Sequence, residues 1–473
     1  MWIEINRDSQ LTLERQIYTQ IRQKILNGML PSGYKLPSTR KLSSELAVSR
    51  NTIIETYSQL AAEGYLKTIK GSGTVVADEL HALDLIPSVN NSTTAKQNKM
   101  QRPADIIDFR TGLPALEYFP HKLWGNIYRE VCNRIEPSSF GYCKTFGVQE
   151  LQEAIAKYLY RTRGLSCTPR QIVITSGATQ GLSLISQILK AKDNIVLIEE
   201  PTHSGLRKVI TSTGCMIEGV PVDDNGICID FMRDKKNVSF VYTTPSHQYP
   251  MGGVLPIRRR LELIRFAEQN NCYIVEDDYD GEFRYEGPPI SSLYELNPQR
   301  VIYLGSFSKI LAPALRLGFM ILPDKLLLPC KKLKMYSDVH TDVLGQYTLA
   351  QFIQEGYFEK HIWKMKKLYG RRRKLLLNEL SCHFPGQFAI LGHATGLHLV
   401  VKFHDLLFTE EIDKALLEKG VRIYRPSNYY LEKNTEHDDE IMLGYSHLSD
   451  EKIIKGIGTI SDFLISNKCG ILF

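Results

Sequence analysis

The sequence predicts an α/β protein of two parts, a small helical module followed by a large domain on a mainly parallel sheet. Three observations carry this. At 473 residues the chain is too long for one core. Its first part reads as three short helices and a hairpin. From about Asp105 onward, short apolar runs alternate with helical stretches, the mark of strands joined by crossover helices.

Composition fits such a protein and excludes other classes. Hydrophobic residues make up 43% and charged residues 23%, the balance of a soluble globular chain. No apolar run approaches a membrane span, and the charged N-terminus is no signal peptide. The nine cysteines are scattered and never spaced Cys-x-x-Cys, which argues for reduced thiols in a cytoplasm rather than disulfides or a zinc site. Net charge is +6, and residues 1–78 hold 10 Lys/Arg against 7 Asp/Glu, a mild lean toward a polyanionic partner.

Leu13, Ile17, Ile21 and Ile25 form a helical stripe over 11–26. Gly28, Pro31 and Gly33 break it. Ser38 is placed to cap a second helix over 39–46, and Ser49 a third running to about Glu63. The β-prone pieces 65–69 and 74–77 flank Lys70-Gly71-Ser72-Gly73, which is hairpin chemistry. Three helices and a basic-tipped hairpin make a winged helix-turn-helix. Its third helix opens Ser49-Arg50-Asn51-Thr52, donors and acceptors at the end that meets bases and phosphates first. A polar, aperiodic tether over 79–103 follows, so the expected parts are 1–78, 79–103 and 104–473.

In the large part the strand candidates are 172–175, 195–199, 240–243, 273–276 and 301–304, with helices such as 180–190 and 258–270 between them. Ligands gather at the carboxyl ends of strands in such sheets, and four stretches sit there. Thr175-Ser176-Gly177-Ala178-Thr179 runs from a strand into a helix and offers free amides to a phosphate. Thr244-Pro245-Ser246-His247 opens a long turn. Glu276-Asp277-Asp278-Tyr279 puts three acids at a buried strand end. Gly305-Ser306-Phe307-Ser308-Lys309 sets a lysine beside two hydroxyls, with Arg316 seven residues on. A lysine there beside phosphate-binding groups suggests a Schiff base with pyridoxal 5'-phosphate. An acid among 276–278 suits the protonated pyridine nitrogen of that cofactor.

The pattern Leu36-Pro37-Ser38-x-Arg40, Ser49-Arg50-x-Thr52, Gly64-Tyr65-Leu66 and Gly71-x-Gly73 resembles the GntR family of bacterial regulators. The second constellation resembles the fold-type I aminotransferases. Together they resemble the MocR/GabR group of regulators over nearly the whole chain. The resemblance implies that Arg40, Arg50, Thr52 and the wing at Lys70 and Gly71 contact operator DNA, beside Ser38, Ser49 and Asn51. It implies Lys309 as the Schiff-base lysine, Asp277 as partner of the pyridine nitrogen and Tyr279 as partner of the ring hydroxyl. Arg316, Ser306, Ser308 and the Ala178 and Thr179 amides would hold the phosphate. Tyr142 would reach the phosphate of a partner subunit, which implies a homodimer, head-to-tail in that group.

Departures from the pattern bear on function. His203 stands where an aromatic ring covers the cofactor, and Tyr249-Pro250-Met251-Gly252 replaces Asn-Pro-x-Gly, with His247 a candidate to supply the lost hydrogen bond. The arginine that grips a substrate carboxylate should fall near Met442, and the group's alternatives near Asn428 and Gly205; none is present. Arg425 or Arg422 is the expected replacement. These features imply a pyridoxal-phosphate-dependent regulator that senses a small amino compound through Lys309, without physiological turnover. Two alternatives are an active aminotransferase with an accessory DNA-binding module, and a regulator sensing pyridoxal phosphate itself. Finally, 361–380 is basic and amphipathic, with Lys366-Lys367 and Arg371-Arg372-Arg373-Lys374. Such a run is commonly a solvated helix face; the alternative is contact with DNA flanking the operator.

Overall fold

Apolar side chains spaced three and four apart fold the N-terminal stretch on itself. The computed structural model describes residues 3–69, 73–78, 106–287, 290–392, 394–432 and 437–467. It divides into two units, Met1–Met100 and Gln101–Phe473. The tether 79–103 and the wing residues Lys70 and Gly71 lie outside the described residues.

In the first unit, Ile17, Ile21, Leu42, Ile53 and Leu60 are fully buried together. They bring together helices Leu13–Leu26, Thr39–Leu46 and Arg50–Ala62. Strands Leu66–Ile69 and Gly73–Val76 pair antiparallel behind them. Ser38 and Ser49 act as N-caps, their hydroxyls accepting from the Lys41 and Thr52 amides at 3.3 and 3.1 Å. Each satisfies an amide that a helix start leaves without a partner.

The second unit is organised by an eight-stranded sheet. Its strand order is Ile172–Thr175, Gly318–Ile321, Val301–Ser306, Tyr273–Asp278, Val238–Thr243, Ile195–Glu200, Met216–Asp223 and Gly226–Ile227. The strands from Val301–Ser306 to Met216–Asp223 are mutually parallel. Gly318–Ile321 runs antiparallel to both neighbours. Val238–Thr243 and Val301–Ser306 are buried throughout, as expected of strands covered on both faces. Helices Ala178–Leu189, Ser204–Ser212 and Ile257–Gln269 lie between consecutive strands of this sheet along the chain. Parallel pairing sends the ends at Glu200, Thr243, Asp278 and Ser306 to one edge.

A smaller antiparallel sheet joins Phe388–Leu391, His398–Phe403 and Glu440–Gly444. Helix Tyr357–His383 carries the basic stretch. Among the described residues no helix is long and apolar enough to cross a membrane.

Candidate functional site

Strand alternation sorts the three acids of Glu276-Asp277-Asp278. Successive side chains of a strand point to opposite faces, so Glu276 and Asp278 share one face and Asp277 takes the other. Glu276 accepts from the Leu293 and Tyr294 amides, both at 3.0 Å, and so holds the start of a short helix. Asp278 is paired with buried Arg163 at 2.9 Å and accepts from the Tyr303 hydroxyl at 2.7 Å. Both acids are therefore structural. Asp277 lines a cavity of about 250 Å³.

In that cavity Asp277 Oδ2 accepts from the Tyr242 hydroxyl at 2.6 Å. Its Oδ1 is buried without a partner among the described residues. Burial pushes the carboxyl up to about 7, against the pull of the Tyr242 hydrogen bond. A buried acceptor with a free lone pair is costly unless a donor meets it.

Lys309 lines the same cavity, in the turn after Val301–Ser306. Burial pushes its amine below the ordinary lysine range, opposed by Asp280 and Asp277 and reinforced by Arg110. That shift enlarges the neutral, nucleophilic fraction. Gly112 packs against it: a Cβ there would stand 3.0 Å from Lys309 Nζ.

Around this pair the cavity gathers Ser306, Ser308, Arg316, Ala178, Thr179, Tyr279 and His203. Arg316 donates to the Ser176 carbonyl. Gly177, at φ +87°, lets the guanidinium close on the turn, since a Cβ there would lie 3.2 Å from both terminal nitrogens. Helix Ala178–Leu189 begins here with no side-chain cap, so its first amides face the cavity with the positive end of the helix dipole. The turn is braced from behind: Gln180 accepts from the Ser176 amide at 2.7 Å and donates to Asp338 at 2.7 Å. Buried Lys334 holds Asp338 at 2.8 Å.

His247 does not line the cavity. It stands behind Tyr279, with Nδ1 2.9 Å from the phenol oxygen and 2.9 Å from Asp280 Oδ2. A carboxylate at Asp280 claims the Nδ1 proton, so the Tyr279 oxygen can only accept from the same N–H, leaving its own O–H to donate into the cavity. His247 thus acts through Tyr279 rather than replacing a lost cofactor contact. His203 is the N-cap of Ser204–Ser212, its Nδ1 accepting from the Gly205 amide at 3.0 Å. Desolvation, then the charges of Lys309 and Arg110, hold it below its ordinary value. Its ring leans on Tyr249 at 5.5 Å.

Three expected residues stand elsewhere. Tyr142 is 89% exposed, outside the cavity, edge-on to His340. Arg425 is buried and spent: it pairs with Asp413 at 2.9 Å and Asp438 at 3.0 Å. Arg422 lies 3.7 Å from Asp108 and does not line the cavity. Neither arginine lines the cavity in which one was expected to grip a ligand acid, and Arg425 is taken up by its two carboxylates. Met442 is buried in an apolar cluster with Tyr249 and Val400.

Sequence reasoning missed Thr111, Gly112, Asp280 and His398 among the lining residues, and Arg110 beside them. Thr111 shares a hydrogen bond with the Tyr249 hydroxyl at 2.8 Å across a separation of 138 residues, which no local pattern announces. Asp280 alone had a signal, as the fourth acid after Glu276, Asp277 and Asp278.

In the first unit Arg40, Ser49, Arg50 and Asn51 are exposed and Thr52 half-buried. The Ser38 and Ser49 hydroxyls are engaged as caps, and Ser49 also meets the Thr52 hydroxyl at 2.9 Å. Arg40 and Asn51 are exposed at the starts of the second and third helices; Arg50 Nε lies 3.5 Å from the Thr39 hydroxyl.

The geometry defines a helix-turn-helix protein whose large unit is an aminotransferase-like domain. Residues 120–452 match the family described as aminotransferase class I and II, and residues 13–76 the gntR family of bacterial regulatory proteins. The HTH-type transcriptional regulator YdeL of Bacillus subtilis is 34% identical, over 96% of this chain and 97% of that protein. The probable rhizopine catabolism regulatory protein MocR of Rhizobium meliloti is 32% identical, over 99% and 97%. The crystal structure of Pyrococcus horikoshii kynurenine aminotransferase, in complex with PMP, superposes with a TM-score of 0.70. It is 29% identical and covers 77% of this chain and 92% of its own. The chain belongs to the MocR-like HTH-type transcriptional regulators, with a GntR-type helix-turn-helix ahead of an aminotransferase class I/II domain.

Proposed function

We propose that this chain is a pyridoxal-phosphate-dependent transcriptional regulator in which a small amino compound, arriving at Lys309, changes how the winged helix holds operator DNA. The observation that carries it is the pairing of Lys309 with Asp277 in one cavity, Asp277 Oδ1 being buried without a partner. The residues present fit the cofactor. Asp277 suits a pyridine N–H, the Tyr279 O–H a ring hydroxyl, and Arg316 with Ser306, Ser308 and the Ala178 and Thr179 amides a phosphate. When bound, pyridoxal phosphate supplies an aldehyde carbon that exchanges reversibly between primary amines.

The chain's own residues do the rest. Asp277 keeps a negative charge at the ring-nitrogen position once a proton donor meets it. Lys309, held below its ordinary range, is available as a neutral amine. The braced Ser176 turn fixes the anionic end. Regulation then requires only that the amino compound bind two arrangements of the protein with different affinity.

Tyr142, exposed in this chain, is read as the residue delivered to a partner subunit's phosphate in a homodimer, head-to-tail as in the group it resembles. The absence of a free acid-gripping arginine at 425, 428 or 442 favours sensing over amino transfer, which needs its substrate held in one attack geometry.

Reconstitution with pyridoxal phosphate is expected to give a yellow protein whose visible band disappears in Lys309→Ala. A wild-type protein that stays colourless would falsify the cofactor assignment. Repeated amino transfer between a simple amino acid and a keto acid would convert the reading to an aminotransferase. A DNA response to pyridoxal phosphate alone would convert it to a sensor of the cofactor.

A further inference from the structure

Helix Tyr357–His383 carries a basic stripe that the proposed sensing site does not use. Its inner face buries Met365, Tyr369, Leu376 and Leu380. Its outer face places Trp363, Lys366, Lys367, Gly370, Arg371 and Lys374 at successive steps of three, one, three, one and three. In a helix of about 3.6 residues per turn these lie on one side. The stripe from 363 to 374 is about 16 Å long at about 1.5 Å per residue. It forms one wall of a groove of about 790 Å³ whose other wall is Tyr285 and Glu286. The walls meet at Gly370, where a Cβ would stand in ordinary contact with the Tyr285 ring at 3.4 Å.

The charge of this groove is lopsided. Lys366, Lys367, Arg371, Arg373 and Lys374 line it against Glu286 alone. Arg371 is partly balanced by Asp450 at 3.2 Å. Lys366, Lys367 and Lys374 have no ion-pair partner within the described residues. Arg373 Nε and, beside Tyr285, Arg284 Nε and Nη1 are buried donors without a partner there. Trp363 is 68% exposed, with Lys367 Nζ 5.6 Å from its ring. An exposed indole among surface cations is amphipathic enough to meet a sugar-phosphate chain.

We propose that this stripe is a second nucleic-acid contact, which takes the phosphate backbone of duplex DNA flanking the operator without reading its sequence. The commitment to DNA rests on charge complementarity and on the chain's other module. A duplex as long as the stripe presents roughly ten negative charges. The same chain carries a GntR-type helix-turn-helix, so duplex DNA is the polyanion it is built to meet. The Lys366, Lys367 and Lys374 ammonium groups that line the groove suit phosphate oxygens, which they meet as point charges.

Salt dependence tests this directly. The operator is recovered by selection from random duplexes with the full-length protein, then made in a minimal form and in a form extended at both ends. The logarithm of the binding constant falls against the logarithm of salt by about 0.9 for each phosphate neutralised. Full-length wild type is expected to show a steeper slope on the extended duplex than on the minimal one. The triple variant Lys366→Gln, Lys367→Gln, Lys374→Gln is expected to lose roughly two to three units of slope on the extended duplex and none on the minimal one. All three positions lie on the outer face, and thermal unfolding checks that the variant is folded. Should it fail that check, Trp363 reports independently: the fluorescence lost in Trp363→Phe should be quenched by the extended duplex and not by the minimal one. Equal wild-type slopes on the two duplexes, or an unchanged slope in a folded triple variant, overturns the proposal and leaves the stripe to an acidic protein or to solvent.

Discussion

Two regions of the large unit differ in how their charges are spent. Around Asp277, Lys309 and Arg316, charged groups face the cavity with capacity left over: an unpartnered carboxylate oxygen, an amine of lowered basicity, a guanidinium braced on a helix start. Near the strand Glu440–Gly444, by contrast, a cation expected to grip a ligand acid is taken up by protein carboxylates. Arg425 is locked between Asp413 and Asp438, and Met442 belongs to an apolar cluster with Tyr249. A buried charge satisfied by protein is a strut; one left unsatisfied is an invitation to a ligand. Which charges could meet a ligand is therefore read from partners, not from residue type.

Substitutions should break the comparison in a definite order. Asp277→Ala is expected to weaken pyridoxal phosphate binding by at least about 100-fold, roughly the 3 kcal/mol that follows from stranding a buried charge. Affinity within a few-fold of wild type, by equilibrium titration, would place the cofactor elsewhere. Arg425→Met should do the opposite. It leaves two carboxylates without their cation and is expected to cost about 3 kcal/mol of stability in denaturant unfolding, with cofactor affinity unchanged. A variant of normal stability and impaired ligand response would restore Arg425 to the binding surface.

The pH dependence separates the two regions further. Asp277 sits at about 7 in the folded protein, above its ordinary 3.8. The folded state therefore holds this proton more tightly than the unfolded chain. Its contribution is full below about pH 4 and is lost as pH rises toward 7. Cofactor-free wild type should lose thermal stability across that window relative to Asp277→Asn, and bound cofactor should remove the difference. Parallel curves for the two proteins would show that Asp277 is not the group responsible. The smallest effect lies outside the large unit. Arg50→Ala is expected to weaken operator binding about tenfold, or roughly 1–2 kcal/mol, at fixed salt and without changing the visible band. Unaltered affinity would remove Arg50 from the recognition surface.

Much of this was legible without coordinates. Helix starts were readable at Ser38 and Ser49 because capping is local: a hydroxyl and an amide three residues on. The strands around 172–175 and 301–304 were readable because strands covered on both faces are continuous apolar runs. Gly318–Ile321 escaped because its short run opens with glycine and follows a left-handed Arg316 at φ +49°. The small antiparallel sheet escaped with it, and its strand His398–Phe403 brings His398 to the cavity.

By itself the sequence pointed to a helix-turn-helix ahead of an aminotransferase-like domain, and to Lys309 and Arg316 beside a turn of small residues, because these rest on residue types at short, fixed spacings. Only the tertiary structure decided which acid of the three faces the cavity, that His247 acts behind Tyr279, and that Arg425 is spent. Those facts depend on partners far away in the chain, such as Arg163 for Asp278 and Asp413 for Arg425. Whether a charge is free or satisfied is a property of its neighbours in space, which spacing along the chain does not encode.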